Sequence, residues 1–201
     1  MFDCILPIGQ TCNISFLLQN AKIKKQTTLF EWFISPTLRD IIKVLIKIGN
    51  DMDDDIIKEG KDHVFLGDTI YSGHYKYEEF KLIYKRRRNR LLDTILSSKK
   101  ILFCRFEANS VIYTQEDIEN FISSILMINS NLDDVKLMLI TPGLELEHPS
   151  LIKVLYDKHM SDPYCESKEI NDLFVTSLKN IGYDVKDIIE TPIGIRQNLD
   201  H

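Results

Sequence analysis

The stretch "KKILFCRFE", residues 99–107, decides the fold. Two lysines and a glutamate bound a brief apolar run at residues 101–106, which reads as a strand. Residues 135–141, "VKLMLIT", form the other strong strand signal. Between the two, Thr114 can cap a helix whose apolar stripe is Ile118, Phe121, Ile122 and Ile125. Strand, helix, strand is the unit from which parallel sheets are built.

The same rhythm extends outward. Residues 4–8 read as a short buried strand ended by Gly9, followed by a helix over 11–20. Residues 22–28 form a basic, polar connection. Residues 29–34, "LFEWFI", are a strand or an extended loop. Ser35 and Pro36 predict a helix start, with Ser35 as the cap and Pro36 in the first turn. Its stripe is Leu38, Ile41, Ile42, Leu45 and Ile46, and Gly49-Asn50 ends it. Runs at 63–66 and 69–75 around Gly67-Asp68 suggest a hairpin. Helices are expected over 77–98, 149–158 and 169–181, the last ended by Gly182, and a final strand over 183–189. The fold expected is one α/β domain spanning 1–201, a mainly parallel sheet flanked by helices.

With 201 residues the chain is long enough for one well-cored domain. An apolar fraction of 44% against 27% charged residues is that of a folded globular protein, which argues against disorder. The net charge of -5 argues against nucleic acid as a partner. No apolar run approaches the roughly 20 residues needed to cross a bilayer, so no membrane partner is expected. The beginning of the chain carries no basic-then-apolar leader, and a cytoplasmic location is expected. Cys4, Cys12, Cys104 and Cys165 form no C-x-x-C pair. Neither a zinc knuckle nor a dithiol motif is therefore expected, and neither a metal nor another cofactor.

Cys12 raises the chemical question, because it falls where a strand turns into a helix. Free N–H groups and the positive end of the helix dipole stabilise a thiolate there, and the same groups can hold an oxyanion. A nucleophile would need a base nearby. A small residue packing the helix start against the sheet would occupy the same position. Residues 13–19 contain no arginine, which excludes a cysteine phosphatase. The candidate bases are His63, His74, His148, His159 and His201. His74, in "YSGHYKY", follows Gly73, and a strand-borne imidazole beside a glycine can approach a helix start closely. His63 belongs near a loop, His148 at a helix start, His159 at a helix end and His201 at the last residue.

Together, "LPIGQTCNISFLLQNAKIKKQTTLFEWFIS" (6–35), "IYSGHYKY" (70–77), "YKRRRNRLL" (84–92) and "KKILFCRFE" (99–107) resemble a family of uncharacterised proteins from bacteria and large DNA viruses labelled papain-like cysteine peptidases. The resemblance covers about residues 5 to 106. It implies Cys12 as the nucleophile and His74 as the base, with Gln10 and Glu31 as accessory residues. It also implies an α+β papain-like arrangement as the alternative fold. Phe30-Glu31-Trp32 stands where the family has Phe-Asp-Trp.

Glu31 either points to solvent, if its segment is extended, or points inward and needs a histidine or arginine partner. In the run 85–90, helical phase puts Arg87 on the apolar face set by Phe80, Ile83, Tyr84, Leu91 and Ile95, with Arg86 and Arg90 to one side. An inward guanidinium needs a carboxylate or an anion, and Glu31 and Glu107 are the expected carboxylates. Arg105 sits near a strand end, where ligands of α/β sheets bind; an ion pair with Glu107 is the other expectation. Asp51, Asp53, Asp54 and Asp55 have partial calcium-loop spacing, but Ile56 stands where the loop needs glycine, so a solvated linker is expected. Three functions follow. The first is a thiol-dependent hydrolase acting on a peptide or small molecule. The second is an anion- or nucleotide-binding transferase using Arg87 and Arg105. The third is a non-catalytic interaction domain.

Overall fold

The computed structural model describes residues 1–24, 26–110, 112–157, 167–183 and 185. Its main sheet has four strands, β1 (Cys4–Pro7), β5 (Lys100–Phe106), β6 (Asp134–Thr141) and β7 (Leu151–Leu155), in the order β1-β5-β6-β7. All neighbours in it are parallel. A second, antiparallel sheet joins β2 (Ile57–Glu59), β3 (Val64–Leu66) and β4 (Ile70–Ser72). The fold is therefore α/β, and the α+β alternative does not describe the main sheet.

Side chains alternate along each strand, and the sheet is covered on both faces. Ile101, Phe103, Val135, Leu137 and Leu139 face one core. Helices α2 (Leu38–Gly49), α3 (Tyr77–Ser97) and α4 (Gln115–Ile128) close that core. Leu102, Cys104, Phe106, Met138 and Ile140 face a second core, closed by α1 (Asn13–Asn20) and α5 (Lys168–Asn180). Two-sided burial is why "ILFCRF" and "KLMLI" are continuous apolar runs. No described helix is long and apolar enough to cross a membrane.

Several expectations change. The helix expected over 149–158 is the strand β7, paired with β6 from Leu137↔Leu151 to Thr141↔Leu155. A five-residue apolar run satisfies both periods, and the open edge of β6 supplies the hydrogen bonds that decide between them. His148 accordingly sits in a loop, where its Nδ1 accepts from the Ser150 N–H at 3.0 Å. Helix α2 is capped by Thr37, not Ser35: Thr37 and Asp40 form a reciprocal capping box. Ile46 leaves the expected stripe and is exposed, while Val44 and Ile48 are buried in it. Residues 29–32 are a turn, and only Ile34 bridges to a strand, at Tyr71.

The acidic stretch is more than a solvated linker. Asp53 is buried and accepts from Arg88 Nε at 2.6 Å and from the Tyr84 hydroxyl, and Arg88 also reaches Asp51 at 2.5 Å. Burial opposes ionisation of Asp53, but these bonds outweigh it and hold the carboxyl below the usual range. Of the strand expected over 183–189, only residues 183 and 185 are described; His159, Cys165 and His201 lie outside the described residues.

Candidate functional site

The carboxyl end of β1 runs into the turn 8–12 and then into α1. Gly9 makes the turn possible: a Cβ there would stand 2.6 Å from Ile14 Cγ2 and would collide with the Thr11 carbonyl. Cys12 is itself the N-cap residue, one position later than Thr11, and its carbonyl accepts from the Ser15 N–H at 2.9 Å. Thr11 Oγ1 accepts from the Asn13 N–H at 3.4 Å.

The Cys12 sulfur lies 3.4 Å from His74 Nε2, although the two residues are 62 apart in the chain. Cys12 is half-buried and His74 is exposed. His74 is not on a strand, as its spacing suggested, but on the bend two residues beyond β4. Its backbone N–H donates to Ser72 Oγ at 3.1 Å. Its ring packs edge-on against Trp32, with centroids 5.7 Å apart, and Trp32 in turn meets Phe16 at 5.4 Å. Among the described residues no carboxylate or carboxamide bonds to the imidazole; the Cys12 thiol is its hydrogen-bond partner.

The electrostatics differ from the expectation of a ready-made thiolate. Burial pushes the Cys12 thiol up, and the residue's own backbone N–H only partly offsets this. Burial therefore disfavours a standing thiolate, and the imidazole beside the sulfur is the group placed to take its proton.

Arg105 lies behind the turn and is completely buried. Its Nη1 donates to the Ile8 carbonyl at 3.0 Å and to Ser35 Oγ at 2.7 Å, and its Nη2 donates to the Ser35 carbonyl at 2.8 Å. Its Nε donates to Glu107 Oε1 and, at 3.1 Å, to the Tyr113 hydroxyl. Ser35 Oγ passes the contact on, donating to the Gly9 carbonyl at 2.6 Å. Arg105 thus ties the entry of the Cys12 turn, at Ile8 and through Ser35 at Gly9, to the segment around Ser35. The ion-pair alternative is the one found, and the planar fork suits it. Gln10 is part of the same tie: its Oε1 accepts from the Ala108 N–H at 3.0 Å, and its carbonyl accepts from the Ser35 N–H at 3.1 Å.

Arg87 is also fully buried, as its helical phase predicts, with its guanidinium 4.9 Å from the Tyr75 ring centroid. Each carboxylate expected near it pairs with a cation. Glu107 takes Arg105, and Glu31 takes Lys24 at 2.5 Å. Glu31 is buried, not solvated, and also accepts from the Thr28 N–H at 2.7 Å. Its cation is Lys24, only seven residues earlier in the chain, where a histidine or arginine was expected. His63 rests against Tyr71 at 5.3 Å. No group of three or more potential metal-ligating side chains occurs among the described residues.

Sequence reasoning missed Ser35, Ser72, Trp32 and Tyr113 as parts of the site. Serines and a tyrosine with no charged neighbour in sequence carry no pattern to find. Trp32 stood inside the "FEW" block without a physical role assigned. No family model, curated protein or solved structure matches the chain.

Proposed function

We propose that the chain is a thiol-dependent hydrolase of the cysteine-peptidase kind that its first half resembles. The observation that carries this reading is the 3.4 Å separation of Cys12 Sγ and His74 Nε2 at the carboxyl edge of a parallel sheet, where α/β enzymes place their ligands.

Chemically, Nε2 takes the thiol proton as the sulfur adds to a substrate carbonyl, and the carbonyl electron pair moves to oxygen. A backbone N–H at the start of α1 is the donor this reading assigns to the developing charge. Collapse of the adduct expels the amine or alcohol, which takes the proton from His74 and leaves a thioester on Cys12. A water then gives a proton to His74 and its oxygen to the acyl carbon, releasing the acid and restoring the thiol. Because burial disfavours a standing thiolate at Cys12, the reading gives His74 the part of general base. A transferase gripping an anion has less support: the guanidinium of Arg105 is engaged by protein groups, and that of Arg87 is packed against Tyr75.

The test uses an activated acyl ester, p-nitrophenyl acetate, followed by intact-mass and peptide mapping. An acetyl group on Cys12, absent in Cys12→Ala and formed at least about 100-fold more slowly in His74→Ala, is the expected result. Acetylation spread over lysines and indifferent to both substitutions would refute the reading.

A further inference from the structure

His74 has a thiol on one side of its ring and, among the described residues, no carboxylate or amide on the other. Something else must fix its orientation, and the backbone of Trp32 points to what does. Three described residues other than glycine have a left-handed φ: Lys22 at 55°, Asp51 at 55° and Trp32 at 67°. Lys22 and Asp51 directly follow the C-caps of α1 and α2, where that conformation is an ordinary helix ending. Trp32 ends no helix, and the left-handed region is costly for a bulky side chain. Strain of this kind persists only where its surroundings over-determine it.

Those surroundings converge on His74. Ser72 is completely buried, and its hydroxyl donates to the Trp32 carbonyl at 2.6 Å. The same oxygen accepts the His74 backbone N–H at 3.1 Å. One hydroxyl therefore ties the strained residue to the histidine. The Ile34↔Tyr71 bridge aligns the two segments just beyond. On the other side, Lys24 stands 5.4 Å above the Trp32 ring while it pairs with Glu31. The ring, with Lys24 over its face, presents itself to the imidazole at 70°.

We propose that Ser72 is the positioning residue of the site. Its hydroxyl holds Trp32 left-handed, so that the indole forms the wall that sets the His74 ring toward Cys12. The function of this device rests on the reading of Cys12 and His74 as nucleophile and base. Ring and hydroxyl together do what an orienting carboxylate or amide does for a catalytic histidine elsewhere. A wall fixes the ring plane without adding charge.

The experiment measures, in parent, Ser72→Ala, Trp32→Gly and His74→Ala proteins, the pH profile of Cys12 alkylation by iodoacetamide and the nuclear Overhauser contacts between the His74 and Trp32 rings. Ser72→Ala removes one oxygen and keeps the side-chain volume. Trp32→Gly removes the ring at a φ that glycine adopts freely, so the device can be tested even if the serine variant does not fold. Ser72→Ala is expected to lose the ring contacts and, like Trp32→Gly, to lower the alkylation rate at neutral pH about tenfold toward that of His74→Ala. Retained contacts and a parental rate in Ser72→Ala, or a parental rate in Trp32→Gly, would overturn the positioning role while leaving the pair intact. Equal rates in parent and His74→Ala would instead remove the pair, and the ring contacts in Ser72→Ala would then decide the geometric claim alone.

Discussion

Two polar groupings share the carboxyl edge of the parallel sheet, and they are built in opposite ways. Around Arg105, five donor–acceptor contacts link Ile8, Ser35, Glu107 and Tyr113 in a buried cluster. Around His74, one sulfur–nitrogen contact faces solvent, and the ring is held by an aromatic wall. The first grouping uses its bonding capacity on the protein itself; the second keeps capacity in reserve. A charge taken out of water needs partners, and each nitrogen of Arg105 already has one in the protein. A thiol and an imidazole cost far less to leave half-satisfied, so they can wait for a substrate. Rigidity is located in the turn that carries Cys12, and reactivity at its tip.

The sharpest way to break this contrast is Arg105→Ala. It strands a buried carboxylate and two carbonyls, and about 3–5 kcal/mol of unfolding free energy should be lost, as read by urea denaturation. Cys12→Ser and His74→Ala should stay within about 1 kcal/mol of the parent. If Arg105→Ala were as mild as Cys12→Ser, the cluster would not be the rigid half of the comparison.

A smaller effect belongs to the Asp53–Arg88–Tyr84 lock, which fastens the acidic turn to α3. The Asp53 carboxyl is held below its ordinary range in the fold. Its stabilisation is therefore complete above the unfolded value, near pH 4, and is lost as pH falls through the lower folded value. Asp53→Asn should cost about 2 kcal/mol at neutral pH and flatten the acid limb of the stability curve, without changing Cys12 reactivity. An unchanged acid limb would show that this pair contributes nothing.

How much of this was legible follows from what each feature is made of. The strands at 101–106 and 135–141, the helices α3 and α4, and the burial of Arg87 are written in local periodicity, which the chain states directly. β7 was misread because "LIKVL" is too short to carry a period, and its pairing partner lies ten or more residues away. The approach of Cys12 and His74 was expected on resemblance and on a glycine. The reason the two meet, a turn clamped by Arg105 and a bend tied through Ser72 to Trp32, depends on contacts between residues 26 to 97 positions apart. The acidic run concealed a lock because its cation, Arg88, sits 35 residues further along, in a basic run where only Arg87 was expected to need a partner.

The central claim is that Cys12 reacts with the help of His74. Its most direct measurement is competitive alkylation of the native protein at neutral pH by isotopically paired iodoacetamide, with the rate at each cysteine followed by mass spectrometry. Cys104 is fully buried, its thiol pushed far up by burial, and Cys4 lies beside Ser98 at 3.4 Å. The account predicts that Cys12 is modified first and that His74→Ala slows it about tenfold or more while the rate at Cys4 is unchanged. Faster labelling of Cys4 or Cys104, or a Cys12 rate indifferent to His74→Ala, would contradict it.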